Sequence, residues 1–312
     1  MAQAIEPKSA AQADKRLTVT KILAATDFSP ASDLALDYAL ALARRCDAQI
    51  YLAHVVPPES VPDAEKFPAQ TGPDATWQAA EHGMAAILVS GKLRAIPHEV
   101  LLERGSVWPV LEHLIEKHEI DLIVTGTHSR TRINKASMGA VAEEVFQLAD
   151  CAVMTVGPRV VKSTEAGDVG LRNILFATDF GPETEGTATY AFALAQEHGA
   201  RVTMLHVIQE TKTRKQAGPE EQPVFSVDRL EQLVPPGADN WSKAECRASF
   251  GRVAKEILAL ARETSADLIV MSAERKSSSA DDGASSIPYN VIAKAHCPVL
   301  TVRNRLSHSK AA

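Results

Sequence analysis

The chain has 312 residues, 45% of them hydrophobic, and a formal net charge of −6. This length is typical of two domains that each bury a core, and the negative charge without a long basic block argues against nucleic acid or an anionic membrane as the main partner. The four cysteines are scattered without a CxxC pair, which argues against a disulfide framework or zinc ribbon and favours reduced thiols in a cytoplasmic protein. We expect neither a signal peptide nor a membrane span, because no apolar run has the required length and position.

The first predicted elements are a strand, a helix and a second strand. The apolar run ILAATD is predicted to be a buried strand. Ser29 and Pro30 follow it, and these residue types are preferred at the N-cap and in the first turn of a helix. Apolar residues then recur at helical spacing from Leu34 to Leu42. The run IYLAHVV is predicted to be the next buried strand.

The rest of the first half continues this alternation. The segment 57–95 is poorly patterned and contains one predicted helix, at 77–92. After it the sequence predicts the strand EVLLERG, the helix WPVLEHLIEKHEI, the strand DLIVTG, the helix VAEEVFQLA and the strand AVMTV. Because apolar strands alternate with helices, we expect a parallel sheet with helices on both faces.

The same pattern occurs twice in the chain. Residues 21–56 align without a gap with 173–208, and about 15 of the 36 positions are identical. A second block, 105–156, aligns with 251–302 at a slightly shorter offset. The sequence is therefore a duplicated module, and we predict an α/β protein of two doubly wound, five-stranded parallel-sheet domains with a Rossmann-like topology.

The alignment also sets the expected domain boundaries. The first domain is predicted at 18–157 and the second at 172–303, with a polar linker at 158–171. The tails 1–17 and 304–312 are expected to be disordered.

Several residues lie where an open parallel sheet binds ligands, beyond the carboxyl ends of its strands. Asp27 follows the first predicted strand, and Gly126 ends the fourth. Gly139 precedes the next helix, whose free N–H groups and positive dipole end suit a phosphate. Arg130 and Arg132 add positive charge to the loop that connects Gly126 to Gly139. We therefore predict a nucleotide site, with the base or ribose near Asp27 and the phosphates on this loop.

These residues resemble the universal stress protein family. The TDFS strand end, the segment DLIVTGTHSR and the C-x-V-x-x-V closing strand carry the similarity, and the duplication is similar to the family's tandem members. The resemblance implies the doubly wound fold of adenine nucleotide alpha hydrolase-like proteins, with ATP and Mg²⁺ as the ligand. It also implies that Asp27 hydrogen-bonds the adenine and that Val55 flanks the base. Gly126 would contact the ribose, and the phosphates would be contacted by Arg130, Gly139 and Val141.

The first copy departs from the family's nucleotide-binding pattern, Gly-x-x-Gly, nine residues, Gly and Ser or Thr, at two positions. Ser129 replaces the middle glycine, and Ala140 replaces the closing hydroxyl residue. A serine at positive φ costs about 1–2 kcal/mol, and a lost hydroxyl bond to a charged phosphate costs about 1.5–3 kcal/mol. The Ser129 hydroxyl is itself a potential phosphate donor, so ATP binding by the first copy stays open at this point.

The second copy departs further from that pattern. Ser272, Arg275 and Ser285 stand at its three glycine positions. The aspartates at 281–282 place negative charge where phosphates would lie, and Pro288 lacks an N–H early in the following helix. We therefore expect no nucleotide in the second copy.

Other repeated residues are interpreted as structural, namely His54 with His206, Tyr38 with Tyr190, and Cys151 with Cys297. No Walker A lysine, metal cluster or Ser-His-Asp pattern is visible, and no residue is placed as a general base for an attacking water. We therefore do not expect an enzyme, and a slow ATPase or nucleotide-dependent ligase is the least favoured hypothesis.

The leading functional hypothesis is a cytoplasmic stress-response module for binding and signalling, with nucleotide occupancy of the first copy as its input. The alternative is a nucleotide-independent scaffold or oligomerisation protein in which both pockets are degenerate. Bound nucleotide that co-purifies with the protein would separate these two hypotheses.

The closing strands predict how the copies meet. Each would be an edge strand, and an exposed apolar edge is prone to pairing. Related stress proteins dimerise through this strand, so the resemblance implies antiparallel pairing of 153–156 with 299–302 inside the chain. A homodimer through other surfaces remains open.

Overall fold

A computed structural model describes residues 19–58, 73–127, 138–160, 170–209, 223–238, 242–273 and 286–303. The tails at 1–17 and 304–312, most of the linker, and Ser129 and Arg130 lie outside these residues. The expectations for them stay predictions.

Each half of the chain contributes five strands and four helices to the described residues. The strands are β1 (Lys21–Ala25), β2 (Gln49–Val56), β3 (His98–Arg104), β4 (Leu122–Gly126), β5 (Ala152–Val156), β6 (Asn173–Thr178), β7 (Arg201–Ile208), β8 (Ala244–Phe250), β9 (Leu268–Ser272) and β10 (Val299–Val302). The helices are α1 (Pro30–Cys46), α2 (Pro73–Val89), α3 (Val107–His118), α4 (Ala140–Leu148), α5 (Thr184–His198), α6 (Pro223–Glu231), α7 (Val253–Glu263) and α8 (Ile287–Lys294). Strands and helices alternate in both halves, as predicted.

The ten strands form one sheet in the order β3-β2-β1-β4-β5-β10-β9-β6-β7-β8. Neighbouring strands are parallel except at the centre, where β5 and β10 run antiparallel. There Val299 lies opposite Thr155, and Thr301 lies opposite Val153. The predicted fold and the predicted pairing of the closing strands are both confirmed, and that pairing fuses the two five-stranded sheets into one.

Helices cover both faces of this sheet. On one face, α1, α2, α5 and α6 pack over a single apolar cluster that runs through both modules. On the other face, α3 packs over a cluster of the first module, and α7 and α8 pack over a cluster of the second. The sequence shows near-continuous apolar strands because successive side chains point to opposite faces and both faces are covered.

Helix α2 differs from the predicted range of 77–92. It begins at Pro73 and ends at Val89, and turns follow it. Proline is well suited to the first turn of a helix, and Gly91 has a left-handed backbone with φ of 76°, which ends a helix readily. The apolar spacing missed both signals, so the predicted boundaries were wrong by three or four residues at each end.

The entry into α1 follows the prediction closely. Ser29 is its N-cap, and the Ser29 hydroxyl accepts the N–H of Ser32 at 3.2 Å. Pro30 lies in the first turn. At the corresponding place in the second module, α5 starts only after Glu183. None of the helices within the described ranges combines the length and hydropathy that a bilayer-crossing segment needs.

Candidate functional site

Asp27 lies in a tight turn between β1 and α1. Its Oδ1 accepts the backbone N–H of Ser29 at 3.0 Å, and its own N–H donates to Ser32 Oγ at 3.3 Å. Phe28, between Asp27 and Ser29, has φ of 60°, which is uncommon for a residue other than glycine. One carboxylate oxygen therefore stabilises the turn, and the half-buried side chain is held at the carboxyl end of β1.

A histidine on β2 and a glycine on α2 support this turn. His54 Nδ1 donates to the carbonyl oxygen of Thr26 at 2.7 Å, since a carbonyl can only accept. The imidazole also lies against the Phe28 ring, with a centroid separation of 4.4 Å. A Cβ at Gly83 would lie 2.7 Å from atoms of the same ring. These contacts agree with the interpretation of His54 as a structural residue.

Gly126 ends β4 beside the start of α1. A Cβ on this glycine would lie 2.7 Å from the carbonyl group of Ala31 and 2.9 Å from Ser32 N, closer than side chains approach backbone atoms. The close packing therefore requires glycine. Because β1 and β4 are neighbours in the sheet, Gly126 and Asp27 lie at adjacent strand ends.

Gly139 is the N-cap of α4, and within the described residues no side chain caps this helix start. The Gly139 N–H donates to Thr127 O at 2.7 Å, which ties the helix to the residue that follows β4. Ala140 is exposed and Val141 is half-buried. The first N–H groups of a helix have no partner within the helix, so the start of α4 keeps the donors that an anion would need.

Four of the predicted residues therefore lie close together at one end of the sheet, where the strands of the first module have their carboxyl ends. Val55 is buried near the end of β2, which pairs with β1. It joins Asp27, Gly126 and Gly139 at the carboxyl ends of three neighbouring strands and the start of one helix. Among the described residues, no group of three or more His, Cys, Asp or Glu side chains is placed to hold a metal. The ligand roles of these residues stay predictions.

The second module repeats the turn but has a serine in place of the glycine that ends β4. Asp179 Oδ1 accepts the N–H of Gly181 at 2.9 Å, and His206 Nδ1 donates to Thr178 O at 2.9 Å. Ser272 occupies the position of Gly126 and therefore carries a Cβ. In this module α5 begins at Thr184, two residues later than the position equivalent to Pro30. The later start agrees with the additional room that a side chain at Ser272 needs.

The start of α8 is closed by its own residues. Ser286 is its N-cap, and the Ser286 hydroxyl accepts the N–H of Tyr289 at 3.3 Å. Pro288 lies in the first turn and has no N–H. The Ser286 hydroxyl, which the sequence alignment places opposite Ala140, is therefore used by its own helix.

The aromatic residues Phe28 and Phe180 follow the repeated aspartates, and their packing partners were not predicted from the sequence. In the second module the Phe180 ring lies 4.5 Å from His206, and the Arg229 guanidinium stands over the same ring at 4.0 Å. In the first module Gly83 packs against Phe28 instead. The repetition of Phe beside Asp was the available signal, but the partners on α2 and α6 lie in the least conserved part of the internal repeat.

Together, these features define a tandem α/β protein with a candidate ligand site at the carboxyl ends of neighbouring parallel strands. The sequence profile of the universal stress protein family matches residues 18–157 and 170–303. The chain belongs to the universal stress protein family and carries two copies of its domain.

Individual relatives agree with this assignment. A universal stress protein of Methanocaldococcus jannaschii is 30% identical over 145 residues, which cover 44% of this chain and 81% of that protein. A Staphylococcus aureus relative is 27% identical over 144 residues, covering 45% of this chain and 85% of its own. Each of these relatives therefore matches about one module.

Solved structures match the tandem arrangement as a whole. A universal stress protein from Archaeoglobus fulgidus has a TM-score of 0.66 and 20% identity, covering 92% of this chain and 97% of its own. A Pseudomonas aeruginosa structure has a TM-score of 0.63 and 14% identity, with coverage of 92% and 94%. At these identities the likeness establishes the fold alone.

Proposed function

We propose that this protein is a cytoplasmic, non-enzymatic stress-response module whose first domain binds ATP with Mg²⁺ and whose second domain does not. Binding of ATP to the first domain would be the input signal, and a change in the surface around its candidate ligand site would be the output. The family membership supports the stress-response role.

The observation that carries this proposal is the position of Asp27 relative to Gly126 and α4. Asp27 Oδ1 is engaged with Ser29 N–H at 3.0 Å, which fixes the direction of the other carboxylate oxygen. That oxygen can accept the exocyclic amino group of adenine. The start of α4, whose N-cap Gly139 has no side chain, supplies N–H donors and a positive dipole end for phosphates. The parts therefore suit a ligand with a base at one end and an anion at the other.

The difference between the modules supports binding by the first one only. In the second module, Ser286 occupies the helix start with its own hydroxyl, and Pro288 removes a donor. Arg229 covers the ring of Phe180 beside Asp179. The start of α8 thus carries a capping hydroxyl and a proline where the described residues of α4 have Ala140 and Ala142.

One observation favours the alternative of a nucleotide-independent scaffold. Asp179 makes the same turn bond as Asp27, at 2.9 Å, in a module without the glycine pattern. Stabilising this turn is therefore a sufficient reason for an aspartate at the strand end. Gly126 likewise has a packing reason that needs no ligand. Under this alternative the joined sheet itself is the functional element.

Titration of the full-length protein with ATP and Mg²⁺ by calorimetry separates the two functions. Asp27→Asn keeps an oxygen for the Ser29 N–H but replaces the second acceptor with an amide, so it should weaken ATP binding by about 10- to 100-fold. Asp179→Asn is the matched control and should leave affinity unchanged. If the unmodified protein binds no ATP, the scaffold function is the correct one. If it binds ATP and Asp27→Asn binds equally well, Asp27 only stabilises its turn and does not contact the base.

A further inference from the structure

Helix α4 of the first module packs into the core of the second. Met138, just before the helix, and Ala142 and Phe146 on one side of it belong to the apolar cluster that α7 and α8 cover. Val145 and Ala149, on another side, belong to the cluster of the first module. The buried residues of α8 all lie in the cluster of their own module. Helix α4 therefore has two cores, whereas its counterpart α8 has one.

A tyrosine of the second module holds the beginning of α4. The buried backbone N–H of Met138 donates to Tyr289 Oη at 3.2 Å. The backbone N–H of the same tyrosine donates to Ser286 Oγ, the N-cap of α8. Tyr289 thus links the first turn of α8 to the residue that precedes Gly139, the N-cap of α4.

An arginine of the second module holds the end of α4. Arg303 donates from Nη1 to Ala149 O at 3.0 Å and from Nη2 to Phe146 O. Its guanidinium also stands over the Phe146 ring, 5.7 Å from the centroid. A cation at the C-terminal carbonyls of a helix is favoured by the helix dipole as well as by the hydrogen bonds.

The corresponding positions of the first module cannot make these contacts. Gly157 occupies the position equivalent to Arg303 and packs so closely that a Cβ would lie 2.5 Å from Ile292 O of α8. Glu143 occupies the position equivalent to Tyr289 and accepts a hydrogen bond from Gln147 of its own helix, at 3.1 Å. The contacts are therefore directional, from the second module to α4.

We propose that Tyr289 and Arg303 are positioning residues for α4, so that the second module controls the order of the helix start at which the first module would bind phosphate. The proposal rests on the proposed function for the identity of the ligand, but not for the control of the helix. It gives the degenerate module a role as a built-in regulatory partner of the other module.

Amide hydrogen exchange on the full-length protein without nucleotide tests the control of the helix. Tyr289→Phe removes the acceptor and keeps the ring, while Arg303→Met keeps much of the side-chain stem and removes the donors. Either change should accelerate exchange of the amides at 140–149 by about tenfold, the usual effect of losing one such bond. Amides of β1 and β2 should be unaffected. Tyr38→Phe, which deletes the same atom on the opposite face of the sheet, should leave α4 unchanged.

ATP titration of the same variants is the second readout. Tyr289→Phe and Arg303→Met should bind ATP about tenfold more weakly than the unmodified protein, and Tyr38→Phe should bind it equally well. Unchanged exchange of α4, or equal acceleration in every segment, would overturn the proposal. So would faster exchange of α4 with unaltered ATP affinity. If the unmodified protein binds no ATP, the proposed function fails, and the exchange result alone decides whether the second module controls α4.

Discussion

Asp121 Oδ2 accepts the backbone N–H of Lys21 at 2.9 Å, which joins the start of β4 to the start of β1. The same oxygen accepts the N–H and the hydroxyl of Thr20, at 2.9 and 2.8 Å. The second module repeats this bond, since Asp267 Oδ2 accepts the N–H of Asn173 at 2.9 Å. Both modules therefore have an aspartate that fixes the register of two neighbouring strands at their amino ends, β1 with β4 and β6 with β9.

Replacing Asp121 should destabilise the protein. Asp121→Ala leaves three donors without their acceptor, and hydrogen bonds to a charged group are worth about 1.5–3 kcal/mol, reduced here to about 1–2 kcal/mol because the group is partly exposed. Urea unfolding would measure the change in the free energy of unfolding. Glu112→Ala, which alters an exposed carboxylate on α3, is the control and should change it by less than about 0.5 kcal/mol.

Gly126→Ala should destabilise the first module by overpacking. The new Cβ would lie 2.7 Å from backbone atoms of Ala31, and backbone cannot rotate away as a side chain can, so we expect a loss of about 1–3 kcal/mol. Gly139→Ala places its Cβ 3.0 Å from Thr127 O and should cost less. Thermal unfolding of both variants measures the difference. A neutral Gly126→Ala would contradict the close packing of β4 on α1.

The thiols should react slowly in the folded protein. Burial raises the pKa of Cys46 and of Cys246 from 9.0 to about 11, with nearby glutamates adding to the effect. Cys151 and Cys297 are buried. Because the thiolate is the reactive form, labelling with Ellman's reagent at pH 8 should be about 100-fold slower than in urea, where all four thiols react. Rapid labelling of the folded protein at one or more sites would contradict this expectation.

Stability should fall at alkaline pH. Burial, then the charges of Cys297 and Asp267, raise the pKa of Tyr38 from 10.0 to about 12, and burial raises the pKa of Cys297 from 9.0 to about 12. Above the ordinary pKa values the unfolded chain loses protons that the folded protein keeps, so the free energy of unfolding decreases as pH rises from about 9 towards 12. Urea titrations at a series of pH values measure this. Tyr38→Phe should flatten the decrease above pH 10, and an identical pH profile would show that Tyr38 does not contribute.

The two modules should unfold together. One apolar cluster runs through both of them on the face of α1 and α5, and β5 pairs with β10 across the junction. Unfolding of one module would therefore remove packing and hydrogen-bond partners from the other. Scanning calorimetry should give one transition whose calorimetric and van't Hoff enthalpies agree. Two resolved transitions would mean that the junction contributes little to stability.

The fold was largely predictable because its signals are local and repeated. Apolar runs bounded by Ser29-Pro30, or by the glycine after EVLLER, mark where strands and helices begin. Comparison of the two halves shows which segments correspond. The end of α2 was missed because apolar spacing gave no weight to Gly91, whose positive φ stops the helix.

The site was less predictable because its decisive contacts join distant residues. The bond from Met138 to Tyr289 spans 151 residues, and no periodicity in either segment indicates it. Asp27 could be identified from its place after a strand, where an aspartate commonly stabilises a turn, but the particular bond from the Ser29 N–H to one of its oxygens is visible only in the structure. Two reasons can explain a glycine at position 126, namely close packing and the close approach of a ligand. Only the close packing is visible in the geometry.

The antiparallel junction of β5 and β10 also sets the polarity of the whole molecule. All strands of the first module point one way and all strands of the second point the other way, so their carboxyl-end loops emerge at opposite ends of the protein. A partner docked over Asp27 at one end leaves the loops around Asp179 at the other end accessible. Sequence divergence between the copies therefore gives the two ends of the molecule different side chains, with Gly126 and Gly139 at one end and Ser272 and Ser286 at the other.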